Sequence, residues 1–239
     1  MEKGQLLYEG KAKRIYATND DSIVWVEYKD SATAFNGEKK AEITGKGRLN
    51  NEITSLLFSK LNELGISSHF IKKLSNTEQL IKRVQIIPLE TVVRNVVAGS
   101  LSKRTGLPEG KELSQPIVEF YFKNDALGDP LFTEDHILEL NLATKEQIIT
   151  LKHKALQVNE ALTELFNELG ILLVDFKLEF GIDGDGQILL ADEISPDTCR
   201  LWDAQTNEKL DKDVFRRSLG SLTDAYEKIL AKLGGAAHV

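Results

Sequence analysis

The sequence predicts a two-lobed α+β fold, with a mostly antiparallel sheet lobe over residues 1–88, a larger α/β lobe over residues 89–239 and a cleft between them. Three observations predict it. The first ninety residues read as short apolar runs separated by turn-forming clusters. The second half carries two long segments with helical spacing of apolar residues. Between those segments lies Val174–Trp202, two apolar runs with charges set into them and joined by Asp183-Gly184-Asp185-Gly186, a β-hairpin signal.

In order, strands are expected at Leu6–Tyr8, Arg14–Ala17 and Ile23–Tyr28, broken by Glu9-Gly10-Lys11 and Asn19-Asp20-Asp21. A helix follows over Leu49–Leu64, with Leu49, Ile53, Leu56, Leu57, Leu61 and Leu64 on one stripe, and Gly65 stands where a left-handed cap belongs. Further strands are expected at Ser68–Leu74, Leu80–Ile87 and Leu89–Val97, the lobes being joined tightly near Pro88–Ser100. Thr144 with Gln147 fits a capping box, and Ile148 to Leu169 continue the helical period until Gly170. The string NELGI ends both helices, at Asn62–Ile66 and Asn167–Ile171, the same terminating chemistry used twice. A final amphipathic helix is expected over Lys212–Leu233.

At 239 residues, with 41% hydrophobic and 28% charged side chains, the chain can bury a substantial core. A net charge of −7 argues against a general nucleic-acid binder but not against local basic clusters. Cys199 is the sole cysteine, so neither an intrachain disulfide nor a thiolate zinc site is available. The four histidines, His69, His136, His153 and His238, show no metal-ligand spacing. There is no secretory signal pattern and no run near the ~20 apolar residues of a membrane span, which predicts a soluble intracellular protein without a membrane partner.

The charges in the hairpin carry chemistry. Val174, Phe176, Leu178 and Phe180 point one way along the strand, and Asp175, Lys177 and Glu179 the other. A turn closing symmetrically on Gly184-Asp185 sets Lys177 opposite Asp192 and Glu179 diagonal to it, while one extra turn residue would bring Glu193 there instead. Two carboxylates held so close need a proton or a cation between them, and hard oxygen ligands suit Mg²⁺.

Glu9-Gly10-Lys11-Ala12-Lys13-Arg14 puts three cations after a small turn, a pattern that fits either an exposed basic hairpin or a polyphosphate site. It is not a Walker motif. Arg94, four residues after Glu90 in an apolar run, must find an anion, inside the protein or in a ligand. Ser100 can open a helix and meet a phosphate monoester there, with Lys103 and Arg104 following. Arg200 follows the Ser195-Pro196 turn, in which Asp197 can bond its own backbone. Cys199 has no histidine nearby in sequence to make it a nucleophile.

Four blocks are recognisable together. LVDFKLEFG (Leu173–Gly181) with DEISPDTCRLW, IIPLETVVRNVVAGS (Ile86–Ser100), YEGKAKRIY (Tyr8–Tyr16) and KNDALGDP (Lys123–Pro130) resemble the SAICAR synthetase family of purine biosynthesis, in the family's order and nearly end to end. The resemblance implies a kinase- or ATP-grasp-like fold with a nucleotide cleft between the lobes. It implies a ligase that joins L-aspartate to a carboxyaminoimidazole ribotide, with ATP cleaved to ADP and phosphate, and it implies Mg²⁺, a cytoplasmic location and a homodimer.

By the same resemblance Gly10, Lys11, Lys13, Lys82 and Glu90 would meet the nucleotide. Arg94, Ser100 and Arg200 would hold the ribotide, with Lys123, Asp129 and Asn36 in loops around the substrate carboxylate and incoming amino acid. Family members often carry aspartate where this chain has Asn36, which removes a negative ligand at that position. Glu179 and Asp192 would hold Mg²⁺, Lys177 would stabilise the transferring phosphoryl group or the ribotide carboxylate, and Asp175 would orient lysine or substrate. Pattern alone leaves two rivals: a small-molecule kinase, with which Asp175-x-Lys177-x-Glu179 shares an analogy, and a non-catalytic nucleotide-binding module.

Overall fold

A computed structural model describes residues 1–34 and 38–234. The chain runs β1 (Leu6–Glu9), β2 (Lys13–Ala17), β3 (Ile23–Tyr28), β4 (Ser31–Ala34), β5 (Lys39–Glu42), α1 (Lys46–Glu63), β6 (Phe70–Lys73), β7 (Glu78–Lys82) and β8 (Gln85–Val96). It continues through α2 (Gly99–Thr105), β9 (Glu112–Phe122), a short 3₁₀ turn (Asp125–Leu127), β10 (Leu131–Phe132), α3 (Glu134–Glu139), α4 (Lys145–Glu168), β11 (Ile171–Ile182), β12 (Ile188–Ala191), β13 (Cys199–Asp203), α5 (Asp213–Arg216) and α6 (Leu222–Lys232). Strands β1-β2-β3-β7-β6 form an antiparallel sheet, β4-β5 a separate hairpin, and β10-β9-β8-β11-β12 a second sheet in which β13 also pairs with β11.

Strand β11 is central. Along one edge it pairs with β8, and along the other with β13 at its N-terminal half and β12 at its C-terminal half. That two-sided pairing accounts for its nearly continuous burial. Phe176, Leu178 and Phe180 enter the main core with α4 and α6, while Asp175, Lys177 and Glu179 occupy the opposite face, as the alternation predicts. Val174 departs from it: the β11–β13 register shifts between Leu173 and Asp175, and Val174 packs instead with Val96, Ala98 and Trp202. Helix α1, from the first half of the sequence, also packs into this core through Leu49, Ile53, Leu57, Phe58 and Leu61.

The helix ends behave as NELGI predicts, with Gly65 at φ 81° and Gly170 at φ 67°. Thr144 and Gln147 make the expected reciprocal capping box. Two expected elements differ. Leu80–Ile87 is not one strand: β7 stops at Lys82, the chain crosses between sheets at Arg83-Val84, and β8 begins at Gln85. Pro88 then lies where the β8–β11 register shifts between Glu179 and Gly181, a bulge that spares the ladder its missing donor. A Cβ on Gly181 would lie 2.4 Å from Val84 Cγ2, so the crossover needs glycine there. The expected helix over 212–233 is broken into α5 and α6, because Ser218 takes φ 55° and Gly220 φ 154°, and Ser221 Oγ accepts the Asp224 N–H to start a new helix.

Behind the cleft, His69 is buried with its ring edge-on to Phe58 at 5.5 Å, and among the described residues neither ring nitrogen finds a hydrogen bond. Burial, with Lys13 nearby, lowers its pKa to about 3. The folded state thus keeps His69 neutral while the unfolded chain takes up a proton below about 6.5. Stability contributed by the neutral ring is complete above that value and falls toward pH 3, at about 1.4 kcal/mol per unit. Between pH 7 and pH 5 the wild type is expected to lose about 2 kcal/mol more than a His69→Leu variant, measured by urea unfolding at both pH values.

Candidate functional site

The register of the two sheets builds the site. Asp175 on β11 pairs with Arg94 on β8 and Arg200 on β13, so three neighbouring strands set an Arg–Asp–Arg row across one face. Four residues along, Glu179 lies directly opposite Glu90, a like-charged pair that needs cations beside it. Lys177 supplies one, donating to Glu90 at 2.6 Å and Glu179 at 3.4 Å, and Lys123 supplies another at Glu179.

Asp192 reaches this patch by a different route from the symmetric turn. Glu179 pairs with Ala191 and Ile182 with Ile188, so the turn holds one extra residue, Asp183–Gln187, with Gly186 at φ 81°. Asp183 Oδ1 accepts the N–H groups of Asp185 and Gln187, which stabilises the wider loop. Continuing that register would set Glu193 against Lys177, but β12 ends at Ala191 and Asp192, at φ 59°, turns the chain out of the ladder. Asp192 and Glu193 both then face Lys13 of β2, at 2.6 and 3.2 Å, so a lysine from the first sheet bridges to the second.

Burial opposes charge on Asp192, yet Lys13, Lys177 and Lys123 hold its carboxyl well below the usual range. Burial likewise opposes charge on Lys177, but Glu179, Glu90 and Asp192 push it well above the ordinary lysine value. Burial raises Glu90 in spite of Lys177.

Two adjoining cavities share this patch. One, of about 390 Å³, includes Arg94, Ser100, Tyr121, Asp175 and Arg200 in its lining. The other, of about 420 Å³, includes Gly10, Lys11, Lys13, Lys123, Asp129 and Glu179. Glu90, Lys177, Asp192, Glu193 and Asp197 line both, as do Lys212 and Arg216.

In the first cavity Arg94 donates to Asp175 at 2.7 Å, Glu119 at 3.0 Å, Ser100 Oγ at 3.0 Å and the Tyr121 hydroxyl at 3.0 Å. Arg200 donates to Asp175 at 2.8 Å and to Asp213 at 3.1 Å. Both guanidiniums are thus aimed by buried carboxylates. A Cβ on Gly99, at φ 52°, would sit 2.5 Å from Arg200 Nη2, so glycine is what lets Arg200 lie against the start of α2.

In the second cavity the Gly10 N–H bonds the Lys13 carbonyl at 2.8 Å to close the β1–β2 turn, and Lys11 reaches Asp125 at 2.7 Å. Asp129, at φ 49°, accepts the Asn124 N–H and shapes the loop.

The structure places Lys82 elsewhere, at the end of β7 on a separate cavity with Asp21 and Asp183. Asn36 lies outside the described residues. Cys199 is buried, and burial pushes its thiol up, consistent with no nucleophilic role.

Sequence reasoning missed several partners. Asp197, read there as a turn residue, accepts from fully buried Lys46 at 2.7 Å, from the Tyr226 hydroxyl at 2.5 Å and from Lys212 at 3.3 Å. Glu119, Tyr121, Asp213 and Arg216 were also unread, because each acts across the sheet or from the broken C-terminal helix. For Asp197 the signal was its position inside DEISPDTCRLW.

Among the described residues no group of three or more His, Cys, Asp or Glu is placed to hold a metal ion, and no helix is long and apolar enough to cross a membrane. The carboxylates present still fit Mg²⁺, which usually takes one or two carboxylates and completes its shell with phosphates and water. Glu179 and Asp192 are hard ligands whose negative charge lysines now balance.

A family model described as SAICAR synthetase matches residues 6–233. The phosphoribosylaminoimidazole-succinocarboxamide synthase of Bacillus cytotoxicus is 70% identical over 239 residues, all of both chains. That of Bacillus subtilis is 68% identical over 237 residues, 99% of this chain and 98% of its own. The crystal structure of the Ehrlichia chaffeensis phosphoribosylaminoimidazole-succinocarboxamide synthase superposes with a TM-score of 0.95 at 48% identity, covering 98% of this chain and 100% of that one. A SAICAR synthetase in complex with ADP superposes with a TM-score of 0.94 at 50% identity, covering 97% and 99%.

Proposed function

The chain belongs to the SAICAR synthetase family, and from that premise we propose how its residues divide an ATP-dependent ligation. L-Aspartate is joined to the carboxylate of 5-amino-1-(5-phospho-D-ribosyl)imidazole-4-carboxylate, giving SAICAR, ADP and phosphate in purine biosynthesis. The observation that supports this reading best is the pair of adjoining cavities with Lys177 and four carboxylates at their junction.

The ribotide occupies the cavity of Arg94, Ser100 and Arg200, its phosphate against these donors and its carboxylate toward Lys177. The nucleotide occupies the cavity under the β1–β2 turn, its phosphates against Gly10, Lys11 and Lys13, with Glu90 at the junction and Lys123 and Asp129 on the facing loop. Displacing lysines from their carboxylates onto phosphate replaces one ion pair by another, so the acids keep the cations in place until substrate arrives.

A carboxylate cannot acylate an amine directly, because oxide would have to leave. An oxygen of the ribotide carboxylate attacks the γ-phosphorus, the bond to the β–γ bridging oxygen breaks, and ADP departs, leaving an acyl phosphate. The aspartate amine then attacks the acyl carbon, phosphate leaves with the shared electron pair, and the amine gives up its proton. Lys177, between the ribotide carboxylate and the γ-phosphoryl group, neutralises charge on the transferring phosphoryl oxygens in the first step, and Asp175 fixes Arg94 and Arg200 so that the ribotide is held in line. Glu179 and Asp192 would hold Mg²⁺, which supplies neutralisation of the phosphate charge when bound.

Mg²⁺, a cytoplasmic location, a homodimer and the division into lobes 1–88 and 89–239 belong to the same proposal. The change of sheet at Arg83-Val84, between β7 and β8, supports a division just ahead of the expected one, which falls inside β8. Purified protein is expected to turn over ATP to ADP continuously only when ribotide, L-aspartate and a divalent cation are all present, with one succinylated amide formed per ADP. A phosphorylated ribotide that accumulates as final product, or no turnover with any combination, would contradict the ligase.

A further inference from the structure

The ligation proposed above brings in a third anion, L-aspartate, and its carboxylates need cations not already committed. Three cations line both cavities: Lys177, Lys212 and Arg216. Lys177 is engaged by Glu90 and Glu179, and Lys212 lies 3.3 Å from Asp197. Arg216 differs. Its Nη1 donates to Asp213 at 2.7 Å, and among the described residues its Nε and Nη2 donate to nothing.

Its surroundings separate it from the two ribotide arginines as well. Arg94 and Arg200 each serve two carboxylates and have side chains only 5% and 17% exposed, whereas that of Arg216 is 30% exposed. Arg200 lines only the ribotide cavity, while Arg216 reaches the junction where the acyl carbon would be attacked. It is held there from several directions. Asp213 is buried and also fixes Arg200, Lys212 N–H bonds the Pro196 carbonyl at 2.9 Å, and Lys39 Nζ reaches the Phe215 carbonyl at 2.5 Å. A guanidinium with one edge anchored and the other edge open into a shared cavity suits a planar carboxylate.

We propose that Arg216 binds a carboxylate of the incoming L-aspartate and so selects a dicarboxylic amine as the nucleophile. The inference rests on the ligase reading, and the test separates the two. Wild type, Arg216→Gln and Arg216→Lys are compared by steady-state kinetics with each of the three substrates varied in turn, alongside thermal unfolding. Arg216→Gln is expected to raise the KM for L-aspartate about 10- to 100-fold, with KM for ribotide and ATP within about threefold and kcat at saturating aspartate within about tenfold. Arg216→Lys, which keeps the charge and loses the fork, is expected to fall between. A raised KM for ribotide with that for aspartate unchanged would overturn the proposal and assign Arg216 to the ribotide phosphate. A lowered melting temperature with every KM unchanged would overturn it in favour of a structural role. An inactive wild type would instead defeat the ligase reading itself.

Discussion

Lys177→Met is expected to lower kcat by about 10²- to 10³-fold while leaving the KM for ATP within a few-fold. Removing one preorganised donor from a site of developing charge costs roughly 2.7–4 kcal/mol of transition-state stabilisation, which is that factor in rate. Methionine preserves the length of the stem and its place on β11, so the sheet is not asked to repack. What is lost is, among the described residues, the only cation directly bonded to Glu90, and with it part of the charge that balances Glu179 and Asp192. Burial already raises Glu90, and without Lys177 it rises further. The variant should therefore bind protons near its junction at a higher pH than the wild type. Single-turnover ADP formation with all substrates saturating measures the rate loss, and nucleotide titration in the absence of ribotide measures binding separately. A kcat within threefold of wild type would remove Lys177 from the chemical step.

Asp175→Asn is expected to raise the KM for the ribotide by 10²-fold or more and to destabilise the fold. Asp175 is buried and receives Arg94 at 2.7 Å and Arg200 at 2.8 Å, so asparagine withdraws the charge that both guanidiniums share. Breaking a buried ion pair on one side typically costs about 3–5 kcal/mol. The lower end applies, because Arg94 keeps Glu119 and Arg200 keeps Asp213. The asparagine amide also presents a donor where an acceptor is needed, which turns one arginine away from its set direction. The urea midpoint reports the stability loss, and the KM for ribotide against that for ATP shows whether the damage stays in the first cavity. Equal increases in both KM values would mean that Asp175 supports the cleft as a whole and not the ribotide clamp.

Much of this arrangement was legible in the sequence because it is local. Alternation along β11 separates Phe176, Leu178 and Phe180 from Asp175, Lys177 and Glu179, and one strand's pleat decides that by itself. The β1–β2 turn, the capping box at Thr144 and the glycine-ended helices are equally local. Register was less secure, since Asp183-Gly184-Asp185-Gly186 can close on two residues or on a wider loop. The bonds from the Asp183 side chain favour the wider one, and the left-handed Asp192 then carries two acids to Lys13.

The unread parts are those in which sequence-distant segments meet. Glu119 and Tyr121 lie on β9, where Pro116 and an exposed N-terminal half obscure the strand period. Lys46 is a charged residue with no sequence-adjacent partner, and only the fold brings it to Asp197. Arg216 lay hidden in an expected helix that Ser218 and Gly220 interrupt.

The central claim is that the two cavities exist to place a ribotide carboxylate oxygen in line with the γ-phosphate beside Lys177. Ribotide labelled with ¹⁸O in its carboxylate, incubated with enzyme, ATP, Mg²⁺ and L-aspartate, tests it directly by mass analysis of the released phosphate. One ¹⁸O per phosphate, formed in step with the succinylated amide, is the predicted result. Phosphate without label, at the same yield of amide, would contradict the account.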